Sequence, residues 1–424
     1  MTAPVCVLNA VTAFSNGFSL FGIPVEFVFF AFTLLGVALF HNHTLKVGLI
    51  GLTVILVYKI AFTDFSFSSH IFGTHSHQGE WNILLNLFGL LTGFTILADH
   101  FEKSGIPKKL PHFLPNDWKG GFLLLVMIAI ISSFLDNIAA AMIGGAVAHV
   151  VFKGKVHIGY VAAIVAASNA GGAGSVVGDT TTTMMWIDGV SAIDVLHAFV
   201  ASASAILIFG IIAAFQQQAY HPIVKEFHAA VSIDYGKLFI VVMILAGAIL
   251  ANIFLEFPAA GVWAAILLGA IFRPVPWKIM PDAVKGSIFL LSLVLCASLM
   301  PVEHLPPASW VSAFVLGFVS AVFDNIPLTK LALEQGGYDW GILAYSVGFG
   351  GSMIWFGSSA GVAISNIYPE AKSVVNWVKG GWHIIVAYIF GFFVLLTTLG
   401  WHPHPPHKTK KFTPTEVVSP SEIL

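Results

Sequence analysis

The sequence predicts an all-α polytopic membrane protein built as an inverted-topology repeat, with two re-entrant hairpins and two broken transmembrane helices. Three observations carry this reading. The 424 residues are 57% hydrophobic and only 9% charged, with a mean hydropathy of +0.88, whereas a soluble domain carries about 25% charged residues. Apolar runs recur at the length of a membrane span, about 20 residues. One polar text also occurs twice inside such runs: Ser132-Ser133-Phe134-Leu135-Asp136-Asn137-Ile138-Ala139 returns as Ser320-Ala321-Val322-Phe323-Asp324-Asn325-Ile326-Pro327, with Asp324 standing 188 positions after Asp136. A carboxylate at bilayer depth costs roughly 2.5 kcal/mol or more, so such a residue faces an ion or a wet interior. Matched polar breaks in two halves are the sequence mark of a midplane binding site.

In chain order, crossings are expected near 18–40, 47–62, 82–101, 157–187, 195–215, 238–255, 258–272, 287–303, 340–367 and 375–400. The Asp-Asn segments, 120–152 and 309–334, read as hairpins that return to the face they left, because each is apolar on both sides of a polar break. The resulting organisation has N-terminal spans over 1–80 and a first repeat over 81–216, containing hairpin 120–152 and broken helix 157–187. A connecting span over 217–257 leads to a second repeat over 258–401, containing hairpin 309–334 and broken helix 340–367. The tail, 402–424, is expected to be disordered. Segments 103–119 and 273–286 read as matched interfacial pieces, the first broken by Pro107 and Pro111.

Charge placement orients the chain. Lys46, Lys103, Lys108, Lys109, Lys119, Lys153, Lys155, Lys225, Lys237, Arg273, Lys278, Lys285 and Lys372 fall on one side if the first hairpin returns to it, whereas loops 63–81, 188–194 and 302–308 hold no Lys or Arg. The basic side is therefore expected to be cytoplasmic, with the protein in a bacterial inner membrane. The first hairpin then opens from the cytoplasm and the second from outside. Ten crossings bring both termini to the outer side, which places Lys408, Lys410 and Lys411 there against the charge rule. The net charge of −2 offers nothing to nucleic acid. Cys6 and Cys296 make no disulfide framework, and Cys296 reads as a packed thiol. The first lysine is Lys46, so no basic signal-peptide region is read at the start.

A helix interrupted in the membrane exposes carbonyls on one side of the break and N–H groups on the other. Carbonyls, an Asn oxygen, hydroxyls and one carboxylate form a hard-oxygen cage suited to sodium. Asp136, Asn137 and Ser132 are the candidates in the first half, and Asp324, Asn325, Ser320 and Thr329 in the second. Beside them lie Asn169 with Gly171 and Gly172, then Gly350, Gly351, Ser352, Ser358 and Ser359, where glycine lets backbone approach an ion and breaks the crossing helix. Asp179 with Thr180 and Thr181 reads equally as a third acid with hydroxyls or as an ordinary helix cap. Lys330 is expected to reach outward to the surface rather than to pair with Asp324. His41, His43, His70, His75, His77, His402, His404 and His407 have no defined metal-site spacing and read as exposed histidines. No nucleophile–base pair stands in the spans, so no enzyme is expected.

The two Ser-x-x-x-Asp-Asn-Ile texts, Ala167-Ser168-Asn169-Ala170-Gly171-Gly172-Ala173-Gly174-Ser175 running on to Trp186, and Gly350-Gly351-Ser352-Met353-Ile354-Trp355 resemble NhaD-type sodium/proton antiporters of the ion transporter superfamily, which also includes citrate-transporter-like and arsenite-permease-like proteins. The resemblance covers roughly residues 80 to 400. It implies hairpins meeting at the midplane, a homodimer, and an elevator-like shift that exchanges Na+ for protons. The sequence departs from the pattern at Ile138-Ala139-Ala140-Ala141, where Thr-rich text is usual, and so lacks hydroxyl ligands there. Each hairpin carries an acid, which favours cation/proton exchange; sodium-coupled movement of a di- or tricarboxylate or another oxyanion is the alternative.

Overall fold

A computed structural model describes residues 18–40, 43–73, 79–224 and 232–404. It is an all-α, multi-pass membrane protein, with a two-residue strand pair, Ser19–Leu20 and Ile23–Pro24, ahead of the helices. The helices are α1 (Val25–Leu39), α2 (Thr44–Phe62), α3 (Phe67–Phe72), α4 (Trp81–Glu102), α5 (Ile106–Phe113), α6 (Trp118–Ser132), α7 (Asn137–Val151), α8 (Ile158–Ala173), α9 (Thr180–Ile187), α10 (Ala192–Leu196) and α11 (Ala198–Tyr220). They continue with α12 (Tyr235–Leu255), α13 (Pro258–Gly269), α14 (Met280–Ser298), α15 (Trp310–Ser320), α16 (Asn325–Gln335), α17 (Trp340–Gly350), α18 (Ser359–Ile364), α19 (Val374–Gly380) and α20 (Trp382–Leu399). Among the described residues, six helical stretches are long and apolar enough to cross a membrane: Thr44–Phe62, Trp81–Glu102, Ala192–Tyr220, Tyr235–Leu255, Trp277–Ser298 and Trp382–Leu399.

Both Asp-Asn segments double back. In the first, α6 and α7 are 15 residues each, about 22 Å at the helical rise and too short for a hydrocarbon core of about 30 Å. Gly144 packs against the side chain of Ile128, the two lying eight positions either side of Asp136. The outer ends meet as well: Gly120 packs on Ile223, while the N–H of Val224 donates to the carbonyl of Val151 at 2.9 Å. In the second, the Gln335 side chain donates to the Pro306 carbonyl at 2.6 Å, so α15 begins where α16 ends.

Loops gather at two ends according to charge. At the basic end, Lys237 Nζ donates to the Lys103 carbonyl at 3.3 Å, Arg273 forks onto Asp234, and the His157 N–H donates to Gln217 at 2.7 Å. The exposed Arg273 guanidinium, by hydrogen bonding to Asp234, holds that carboxyl below the usual range. At the other end, the His404 N–H donates to the Tyr338 carbonyl at 3.0 Å, the Gly337 N–H donates to the His404 carbonyl at 2.8 Å, and His70 meets the Ser298 hydroxyl at 2.9 Å. The strand pair sits near this second end, with the Phe18 N–H donating to Tyr58 at 2.7 Å.

Four sequence expectations need correction. The crossing placed at 287–303 begins at Met280 and ends at Ser298, so only 273–279 remains of the second interfacial segment. Residues 402–404 are ordered against 337–339, because backbone groups there find partners in one another; the rest of the tail, with His407 and the three lysines, lies outside the described residues, as do Cys6, His41, His75, His77 and Lys225. His70 is half-buried rather than exposed. Lys330 does not reach the surface: it is fully buried, paired with Glu80 at 2.8 Å and Glu334 at 2.6 Å. Two nearby carboxylates hold an ammonium inside more favourably than a path to water that its helix does not offer. Cys296 is buried, as its apolar setting requires.

Candidate cation site

Four helices begin inside the protein, and each needs a cap for N–H groups that have no partner in the preceding turn. Asp136 caps α7 through the Ile138 N–H at 3.1 Å, and Asp324 caps α16 through the Ile326 N–H at 3.0 Å. Asp179 caps α9, accepting from the Thr181 hydroxyl at 2.8 Å, and Ser358 caps α18, accepting from the Gly361 N–H at 3.3 Å. Three of the four caps are therefore acids in an apolar protein.

The contacts around these breaks recur in register. Ser132 donates to the Ser168 carbonyl at 2.6 Å, and Ser320 donates to the Val347 carbonyl at the same distance. Gly171 lies against the carbonyl of Ala129 and Gly350 against that of Gly317, too close for any Cβ. Gly172 faces the Gly178 carbonyl as Gly351 faces that of Gly357. The hairpin positions are offset by 188 and the broken-helix positions by 179 throughout, so Asp179 corresponds to Ser358 and Asn169 to Gly348. Gly171, Gly172 and Gly350 sit inside the last helical turns, and the breaks themselves fall at 174–179 and 351–358. Their role is close backbone approach, which pins each hairpin tip to its broken helix.

At the centre, the Asn137 amide donates to Asn169 Oδ1 at 3.0 Å and to Asp179 Oδ1 at 3.3 Å. Asn169 Nδ2 donates onward to Ser352 at 2.9 Å and Ser358 at 3.2 Å, joining the two halves. Ser359 reaches Asp324 Oδ2 at 3.4 Å, a weak contact. Asp136 and Asp324 both lie near enough to Asp179 to act on it electrostatically.

A cavity of about 270 Å³ opens onto Asp136, Asp179, Thr180 and Thr183, walled by apolar residues of α4 and by Ala283, Gly286 and Ser287 of α14. It shares Thr95, Ala98 and Ala139 with a vestibule of about 920 Å³ bordered by Lys103, Lys108 and His112 at the basic end. The cavity at the first-half acids therefore adjoins that end. Of the sequence candidates, Asp136, Asp179 and Thr180 line the cavity. Ser132 and Ser320 spend their hydroxyl protons tying hairpins to broken helices, Thr329 donates to the Asn325 carbonyl inside α16 at 2.9 Å, and Thr181 serves the cap of α9. Where 138–141 carry no hydroxyl, Thr180 and Thr183 of the hydroxyl run in α9 line the cavity, although the Thr183 proton goes to the Val176 and Asp179 carbonyls, each at 2.8 Å. Asp179 caps a helix and also faces the cavity. Among the described residues, no group of three or more His, Cys, Asp or Glu could hold a metal ion as a ligand cluster, and a sodium cage would rest on oxygens of other kinds as well.

No family model matches the chain. Curated relatives do. Sodium/proton antiporter 1 of Arabidopsis thaliana is 26% identical over 322 residues, covering 64% of this chain and 52% of the relative. Na(+)/H(+) antiporter NhaD of Alkalimonas amylolytica is 28% identical over 338 residues, covering 66% of this chain and 68% of the relative. The chain is similar to NhaD-type sodium/proton antiporters. Sodium/proton antiporter 2 of Arabidopsis thaliana adds 27% identity over 254 residues. The chain spans little more than half the length of the two plant antiporters, 52% and 58%.

Proposed function

We propose that this protein exchanges sodium for protons across a bacterial inner membrane, with Asp136 and Asp179 as the groups that hold the cation or the protons it replaces. The observation that carries the reading is the cavity in which two carboxylates from two different elements, with Thr180 and Thr183, face one space adjoining the vestibule of the basic end. Opposite charges favour a carboxylate's ionised form and a low-dielectric setting disfavours it uncompensated, so a cation and a proton compete for the same oxygens. Competition of that kind, combined with access to one side at a time, is exchange.

The separation of basic from non-basic loops supports an inverted repeat in which the first hairpin opens to the cytoplasm and the second to the outside, with Asp324 as the second half's counterpart acid. Each hairpin, pinned to its broken helix, would slide as one body against α4 and α14, an elevator-type motion, in a homodimer surrounded by lipid. The names of the similar proteins support the sodium and proton assignment.

Purified protein in vesicles with a pH-sensitive dye inside tests the reading. Sodium driven into the lumen should carry protons out and raise the luminal pH, without any carboxylate present. A signal that needs citrate or another di- or tricarboxylate would replace exchange with symport.

A further inference from the structure

The second hairpin carries a charged cluster that the cation site does not use. Lys330, on α16, is completely buried. Its Nζ lies 2.8 Å from Glu80, the residue that precedes α4, and 2.6 Å from Glu334, one turn further along its own helix. Asp188, following α9, adds its field to the same lysine. Glu80 is 4% exposed and Glu334 17%, so the ion pair between Lys330 and Glu80 is held away from water. Lys330 sits six residues beyond Asp324, about 9 Å along the helix, toward the non-basic end.

The two glutamates are not equivalent. Glu334 moves with Lys330 because both ride on α16. Glu80 belongs to the start of α4, one of the two walls that the cavity sets against the hairpin-bearing body. In this conformation the cavity at Asp136 adjoins the vestibule of the basic end through shared walls, while the Lys330–Glu80 pair bridges hairpin and wall toward the opposite end.

We propose that Lys330–Glu80 is a closing contact: it seals the non-basic end while the basic end is open, and it parts when the protein opens the other way. The proposal rests on the alternating access put forward above. Glu334 keeps the lysine compensated after the parting, which is why a buried ammonium can survive the transition. Breaking the pair permanently shifts the population toward the state open at the non-basic end.

The test reads that population directly. In a background lacking Cys6 and Cys296, Ala146→Cys places a thiol on the vestibule wall, and its rate of labelling by a maleimide reports how often the basic end is open. Glu80→Gln should slow labelling by about fivefold or more, the lower range of ordinary coupling between sites. Glu334→Gln removes the same charge without cutting the tie between bodies and should leave the rate close to the parent's. Should Glu80→Gln fail to reach the membrane, Glu80→Asp shortens the reach and should slow labelling in the same direction. An unchanged rate in the folded Glu80 variant, or equal slowing by Glu334→Gln, overturns the proposal and leaves the cluster as packing. Labelling does not depend on transport, so a parent protein that fails to move protons in response to sodium would sink the exchange reading alone.

Discussion

The two halves share a scaffold and differ in what they hang on it. In both, a serine ties the hairpin to a helix carbonyl, a glycine presses backbone on backbone, and an aspartate caps the return arm. The first half adds Asn169 and Asp179, so Asn137 finds two acceptors. In the second half those positions are Gly348 and Ser358, and the amide nitrogen of Asn325, although buried, has no hydrogen-bond partner among the described residues. Repetition kept the mechanical joints, whereas the polar groups diverged. The joints are therefore about shape, and the differences lie in which polar side chains meet at the centre.

The largest expected effect divides the acids. Asp136→Asn keeps shape and the cap but removes the charge, and sodium-driven proton movement in vesicles should fall to background with normal membrane expression. Asp324→Asn should do the same if both halves couple; surviving exchange in that variant alone would confine coupling to the first half. Next come the joints. Gly171→Ala and Gly350→Ala should each destabilise by about 3 kcal/mol, the upper range for overpacking, read as lowered melting temperatures. Similar losses in the two variants are required, because the contacts match; a loss in only one would break the comparison.

Smaller effects test the difference. Asn137→Ala strips donors from Asn169 and Asp179 and should cost about 1–3 kcal/mol, while Asn325→Ala, removing an amide nitrogen without a partner, should cost much less on the same thermal scale. Apparent sodium affinity, measured calorimetrically, should strengthen with rising pH by up to about tenfold per unit where the acids titrate, since each bound proton must leave first. A flat profile with no proton release would remove competition from the account. The smallest effect belongs to Ser359→Ala: its 3.4 Å contact to Asp324 should be worth about 0.5 kcal/mol.

The hairpins and broken helices were legible in the sequence because Asp-Asn inside an apolar run has few explanations, and its recurrence has fewer. The gathering of Lys103, Lys237 and Arg273 at one end was legible because lysines and arginines collect on one side of a membrane protein's loops. The cavity wall was not: Leu87, Leu90, Phe94 and Gly286 look like any other apolar stretch, and nothing in their order says that they face an acid rather than lipid. Lys330 was misread for a related reason. Glu80 lies 250 positions away in the chain, and an isolated lysine near a helix end reads as one that reaches for water. Ser132, Ser320 and Thr329 look like ligands by type, but their protons go to carbonyls that only the folded chain brings near.

Asn169 stands between the halves with its oxygen toward Asn137 and its nitrogen toward Ser352 and Ser358. Turning the amide over would set NH2 against NH2, so its neighbours fix the orientation. An amide also neither takes up nor releases a proton. The crossbar therefore ties the two halves through a group that cannot itself carry a proton from one to the other.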